Sequence, residues 1–188
     1  MKSALKLMVA AMVFGAPLNA QAGLIGVKEI TVYSHGNGYV QIAELIATQS
    51  GTGIDVALAT NGATATSTSN YSTTSNAAKA IDGIFPAAYP NIWHSGSSGA
   101  HDFLDVTLAA SAELDSVIIW GRAPAGGRDI YDVYLFDSSH NLLSTALGAD
   151  ASIANFVTVN LASTDVPEPT GLAVLGFGIL ALRRTRRE

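Results

Sequence analysis

FLDVTLAASAELDSVIIWGRAPAGGRDIYDVYLFDSSHNLLSTAL, residues 103–147, carries the repeating unit of the fold. Hydrophobic side chains recur there with period two in four runs, 103–108, 114–121, 130–137 and 142–147. Turn residues fill the later breaks: Ala123-Pro124-Ala125-Gly126-Gly127, and then Asp137-Ser138-Ser139-His140-Asn141. Alternation of this kind sets one face of each run on a core and the other in water, which predicts antiparallel strands. The pattern extends to 27–33, 39–48, 54–59, 63–68 and 156–161, with turn signals every 8 to 15 residues and no long helical stripe. The expected fold is an all-β antiparallel sandwich. His35-Gly36-Asn37-Gly38 is expected to close a tight hairpin between 27–33 and 39–48, because Asn-Gly readily takes the positive φ such turns need. Residues 61–76, dominated by Thr, Ser, Ala and Asn, are expected to start as an edge strand and continue as a surface loop.

The chain has 188 residues and no cysteine, so disulfides, thiol catalysis and thiolate metal sites are excluded. Both ends have the composition of address labels. Lys2 and Lys6, an apolar run over 7–18 and Ala20-Gln21-Ala22 follow the export pattern, with cleavage expected after Ala22. Beyond residue 165, Pro167-Glu168-Pro169 is followed by apolar sequence over 171–182 and by Arg183-Arg184-Thr185-Arg186-Arg187. Twelve helical residues rise only about 18 Å against a hydrocarbon core of about 30 Å, so this tail is short for a permanent transmembrane helix and fits a sorting signal that pauses in the membrane. What remains, residues 23–165, is one domain. It holds 4 basic against 13 acidic side chains, a net charge of −9, which argues against nucleic acid as a partner.

The order of Pro-Glu-Pro, Gly-rich apolar segment and terminal Arg cluster over 166–188 resembles the PEP-CTERM sorting signal of exopolysaccharide-producing bacteria. That resemblance implies recognition at Pro167, Glu168 and Pro169 by an exosortase-type membrane enzyme. The protein would pass through the inner membrane and end at the cell surface or in the extracellular matrix.

Within the body, Ala80-Ile81-Asp82-Gly83, Trp93-His94-Ser95, then 103–108, 117–122 and 128–137 come in an order that resembles the discoidin-like (coagulation-factor C-type) domains. These include the fucose-binding lectins and are galactose-binding-like jelly rolls. The resemblance covers about 61–161. The family's closing strand pair is missing near Leu161, while a similar pair stands at the front, which implies a circular permutation; sandwich termini lie close enough to allow one.

Along 39–48, Val40, Ile42, Glu44 and Ile46 share one face. A lone buried carboxylate costs several kcal/mol, so Glu44 either has a partner or belongs to a solvated face. The resemblance implies a calcium ion held by Glu44 and Asp82, with the carbonyls of Lys79 and Ile84 and the Ser95 side chain as further oxygens, a donor set suited to a hard cation. The alternative is that Asp82 only caps a turn. The resemblance also implies a carbohydrate site using a His and two Arg. Arg122 and Arg128 are the counterparts, with His101 and His94 competing for the third place; a guanidinium can grip adjacent hydroxyls in two places. Trp93 is either a stacking platform or a packing residue under the loops, and Trp120 is expected in the core.

No catalytic motif is present. The four histidines offer no i, i+4 pair, and alternation sets Asp102 and Asp105 on opposite faces, against a glycosidase pair. His94, His101 and Asp102 as a transition-metal site is a weaker reading than calcium. The expectation is therefore an exported, non-catalytic carbohydrate-binding sandwich, or alternatively a structural or adhesive matrix protein without a pocket.

Overall fold

The computed structural model describes residues 23–36, 38–99, 101–124 and 128–161. The export signal, Pro167-Glu168-Pro169 and the tail lie outside them, as does Asn37.

The fold is all-β and antiparallel, organised around one strand. The alternating runs 103–108 and 114–121 are a single strand, β6 (Phe103–Trp120), flanked along its first half by β1 (Leu24–Ser34) and β4 (Thr64–Ser67). Along its second half it is flanked by β3 (Glu44–Gln49) and β9 (Phe156–Asn160). β1 continues the sheet through β7 (Ile130–Phe136) to β8 (Leu142–Asp150), while β2 (Gln41–Ile42) and β5 (Trp93–His94) form a separate pair.

The phase of β6 changes once. Leu104, Val106, Leu108 and Leu114 point into the core, and then Val117 and Ile119 do. Thr48 faces Ser116 while Gln49 faces Leu114, so Asp115 is an extra residue, and this bulge moves the apolar set onto the opposite pleat. Both halves of β6 nevertheless feed the same core, together with Ile30, Val32, Leu45, Trp93, Tyr131 and Leu135. The sheet therefore folds over on itself around one apolar interior, as a sandwich requires. Each fully buried aliphatic side chain contributes about 1.5–3 kcal/mol.

The pairing corrects four expectations. The 35–38 hairpin does not join 27–33 to 39–48: both edges of β1 are taken by β6 and β7, and Gln41 and Ile42 pair instead with His94 and Trp93. The front strand pair on which a permuted closing hairpin would rest is thus not formed. Segment 39–48 is two strands interrupted at Ala43. Segment 54–59 forms only a bridge from Asp55 to Thr48 before a 3-10 turn at Ala59–Asn61. There the Asp55 carboxylate accepts the N–H groups of Ala47 and Ala57, in competition with a backbone ladder. The 137–141 hairpin forms as expected. Asp137 accepts from Ser139 N, Asn141 N and Asn141 Nδ2, and these bonds hold its carboxyl below the ordinary range.

The register fixes two poles. At one, Gly23 N donates to Glu113 Oε1 and Leu161 N to Asp115 O, so the two ends of the main described body emerge side by side. At the other, loops are tied to one another: His35 N to Ile130 O, Gly99 N to Gly38 O, Tyr71 N to His94 O, Ala123 N to Ala87 O, and Gly121 N to Asn155 O.

Candidate ligand site at the loop pole

His94 lies at the centre of the loop pole. Its backbone is fixed by the short β2–β5 ladder opposite Gln41. The ring Nδ1 stands 2.8 Å from Ser95 O, an acceptor only, so Nδ1 carries the proton. Nε2, 2.6 Å from Gln41 Nε2, accepts from that amide. The imidazole is neutral in this arrangement. Burial is the main cause that pushes its pKa below the ordinary value, and the charges of Arg122 and Arg128 add to the effect.

Three tyrosines surround this ring, with centroids at 5.0 Å for Tyr39, 4.6 Å for Tyr71 and 6.2 Å for Tyr89. Tyr71 meets Tyr39 and Tyr89 edge-on, at 6.3 and 5.9 Å. Tyr71 is 56% exposed and Tyr89 42%, so the cluster opens to solvent above a buried histidine. Sequence reasoning missed these tyrosines, which come from three loops. The available signal was Tyr71, an aromatic residue alone in a Ser/Thr/Asn stretch.

The arginine loop adjoins the cluster through the Ala123–Ala87 bond of 2.8 Å. Arg122 N donates to Oδ2 of the buried Asp129 at 3.1 Å. Among the described residues neither Arg122 nor Arg128 forms an ion pair, in a body with a large excess of carboxylates. Gly121 allows the loop to turn so tightly, because a Cβ there would overlap the Asp129 carboxylate. Gly121→Ala is expected to lower stability by about 1–3 kcal/mol in thermal unfolding, as overpacking does; a variant as stable as the parent would show that the loop has room to move.

The other expected site residues fall into place individually. His101 is exposed and outside the aromatic cluster. Asp102 is buried and accepts from Thr68 Oγ1, Ser97 N and Ser97 Oγ. Burial pushes its pKa up, but hydrogen bonds from Ser97, Ser69 and Thr68 more than offset this and leave it below the ordinary value. With both His94 nitrogens and Asp102 engaged, these residues form no metal triad. Of the two readings of Trp93 the packing one holds, and Trp120 departs from its expected place in the core. Trp93 has 0% exposure and donates Nε1 to Ser69 O, so its ring belongs to the core and offers no face to a sugar. Trp120 is half-buried between Phe85 and Phe156, at 5.1 and 4.9 Å.

Glu44 is fully buried, and both its carboxyl oxygens lie 3.1 Å from Gly83 N. Burial, with the nearby Asp82 and Asp55 carboxylates, pushes its pKa up to about 8 despite hydrogen bonds from the backbone of Gly83 and Asp82. Asp82 Oδ1 accepts from Ile84 N, and Oδ2 lies 3.2 Å from Lys79 Nζ. Glu44 and Asp82 are thus brought together as expected, and a cation would relieve their repulsion. Ser95 Oγ is committed elsewhere, accepting from Val40 N and donating to Ser97 O. Among the described residues no group of three or more His, Asp or Glu side chains is arranged as metal ligands.

The chain matches no known protein family, no curated protein and no solved structure.

Proposed function

We propose that this is an exported, non-catalytic protein that binds carbohydrate at the loop pole. The observation that carries the reading is the solvent-open Tyr71–Tyr89 pair over neutral His94, beside two arginines that form no ion pair among the described residues. Tyrosine faces suit the apolar side of a sugar ring, and guanidinium donors suit its hydroxyls. The discoidin-like jelly-roll reading of the sandwich rests on the order of segments between 61 and 161. Surface sorting through Pro167-Glu168-Pro169 rests on the sequence of the tail. A calcium ion between Glu44 and Asp82 is supported by the proximity of the two carboxyls.

A glycan array probed with the purified exported protein, with and without calcium, tests the function. Tyr71→Ala, Arg122→Ala and Arg128→Ala are each expected to weaken glycan binding at least about tenfold, since a hydrogen bond to a charged donor contributes about 1.5–3 kcal/mol. Thermal stability should change little, because all three side chains are partly or largely exposed. Binding unchanged in the double arginine variant would remove the site from this loop. An array without any signal would favour the structural matrix reading.

A further inference from the structure

The solvent-facing side of the β1–β7 sheet holds a cavity of about 420 Å3 lined by Tyr33, Ser34, Asp132, Tyr134 and Phe136. Its walls are mostly aromatic and its one carboxyl is Asp132. Tyr33 and Tyr134 meet edge-on at 5.6 Å, forming a corner, and Phe103 supports Tyr33 from behind at 5.3 Å. Asp132 is held by two hydrogen bonds to one oxygen: Oδ1 is 2.8 Å from Gly148 N and 2.7 Å from His35 Nδ1. Among the described residues Oδ2 receives no hydrogen bond, which leaves it for a ligand. Two more carboxyls, Glu29 and Asp105, stand on the same sheet face. Burial, then the neighbouring Tyr134 hydroxyl and the charges of Asp105 and Glu29, push the Tyr33 hydroxyl above its ordinary pKa. Among the described residues no lysine or arginine lines the cavity, and Lys28 is turned to the carbonyls of Leu108 and Ala109.

The chain already stacks one ring on this face. His140 stacks on Phe136 with centroids 4.4 Å apart and an interplanar angle of 8°, and its Nδ1 lies 3.2 Å from Glu29 Oε2.

We propose that the cavity binds an organic cation, an alkylated ammonium group that sits against Tyr33, Tyr134 and Phe136 and faces Asp132. The ring quadrupoles attract the charge, the methyl groups bury apolar surface, and the carboxylate fixes the orientation. A neutral sugar would find acceptors here but none of the cationic donors present at the loop pole. The acidic body raises the local concentration of cations around both.

The test is titration of the intact protein with tetramethylammonium chloride at constant ionic strength, followed through the backbone amide signals of Tyr33, Asp132 and Tyr134. Saturable shifts confined to these strands are expected, with tert-butanol, a neutral molecule of similar shape, at least about tenfold weaker. Tyr134→Leu and Asp132→Asn should each weaken binding at least about fivefold; the second keeps an oxygen for Gly148 N–H, so the strand geometry is preserved. Arg122→Ala should leave the titration unchanged, which separates this site from the glycan reading. Equal affinity for tert-butanol, no saturable shift, or undiminished binding in both variants would overturn the proposal.

Discussion

The metal-free protein is expected to lose stability between pH 5 and pH 8, and replacing Glu44 with glutamine to abolish most of that loss. The carboxyl titrates at 4.5 in the ordinary state and at about 8 when folded, so across that window the folded protein holds a proton that the unfolded chain has released. This contribution is complete below 4.5 and declines as pH rises toward the folded value. At about 1.4 kcal/mol per pH unit it amounts to roughly 3–5 kcal/mol, a large part of a typical total of about 5–15. The glutamine amide would keep an acceptor for Gly83 N–H and turn two donors toward the Asp82 and Asp55 carboxylates at any pH. Thermal unfolding in chelator across this range measures the effect. A parent whose melting temperature does not fall between pH 5 and 8, or a variant that falls equally, would show that Glu44 is not the source. Excess calcium should offset the fall in the parent, by about 2.7 kcal/mol at a hundredfold over the dissociation constant, and leave the variant unchanged if the ion bridges Glu44 and Asp82.

Trp93→Ala is expected to cost about 3–5 kcal/mol, close to the stability of a small domain, whereas Trp120→Ala should cost about 1–2. Trp93 leaves a cavity in a sealed interior and an unpaired Ser69 carbonyl. Trp120 lies between two rings that are themselves about 40% exposed, so the surroundings can collapse or hydrate. Denaturant unfolding gives both values, and Trp120→Phe should retain the blue-shifted emission of a buried indole. Equal costs for the two alanine variants would contradict this assignment.

The same pair shows where reading from sequence stops. Period-two alternation located β1, β4, β7, β8 and β9 and both halves of β6, because one face of each is solvated and the pleat writes itself into the residue pattern. It failed where faces are not distinct. Residues 40–45 are buried on both sides, so neither the break at Ala43 nor the partner of Gln41 left a trace. The gap read at 109–113 is continuous strand, since Ala109, Ala110 and Ser111 are all exposed and carry no alternation, and the bulge at Asp115 passed unseen inside the next run. Trp120 continues an apolar run and so looks interior, yet it is the last residue before a solvated loop. At the loop pole, the arginines were legible through their scarcity. The tyrosines were not, because Tyr39, Tyr71 and Tyr89 become neighbours only after β2 and β5 pair.

The adjacent exits of Gly23 and Leu161 have a mechanical consequence. A protein held by either end and pulled by a ligand at the loop pole carries the load along its strands. Ladder hydrogen bonds lie across the strands, so such a load shears many of them together instead of opening them one at a time. Traction between the two ends would do the reverse and peel β1 and β9 from β6, starting at Leu114 and Ser116. The strand layout therefore resists force applied between these exits and the loop pole, and yields when the two exits are drawn apart.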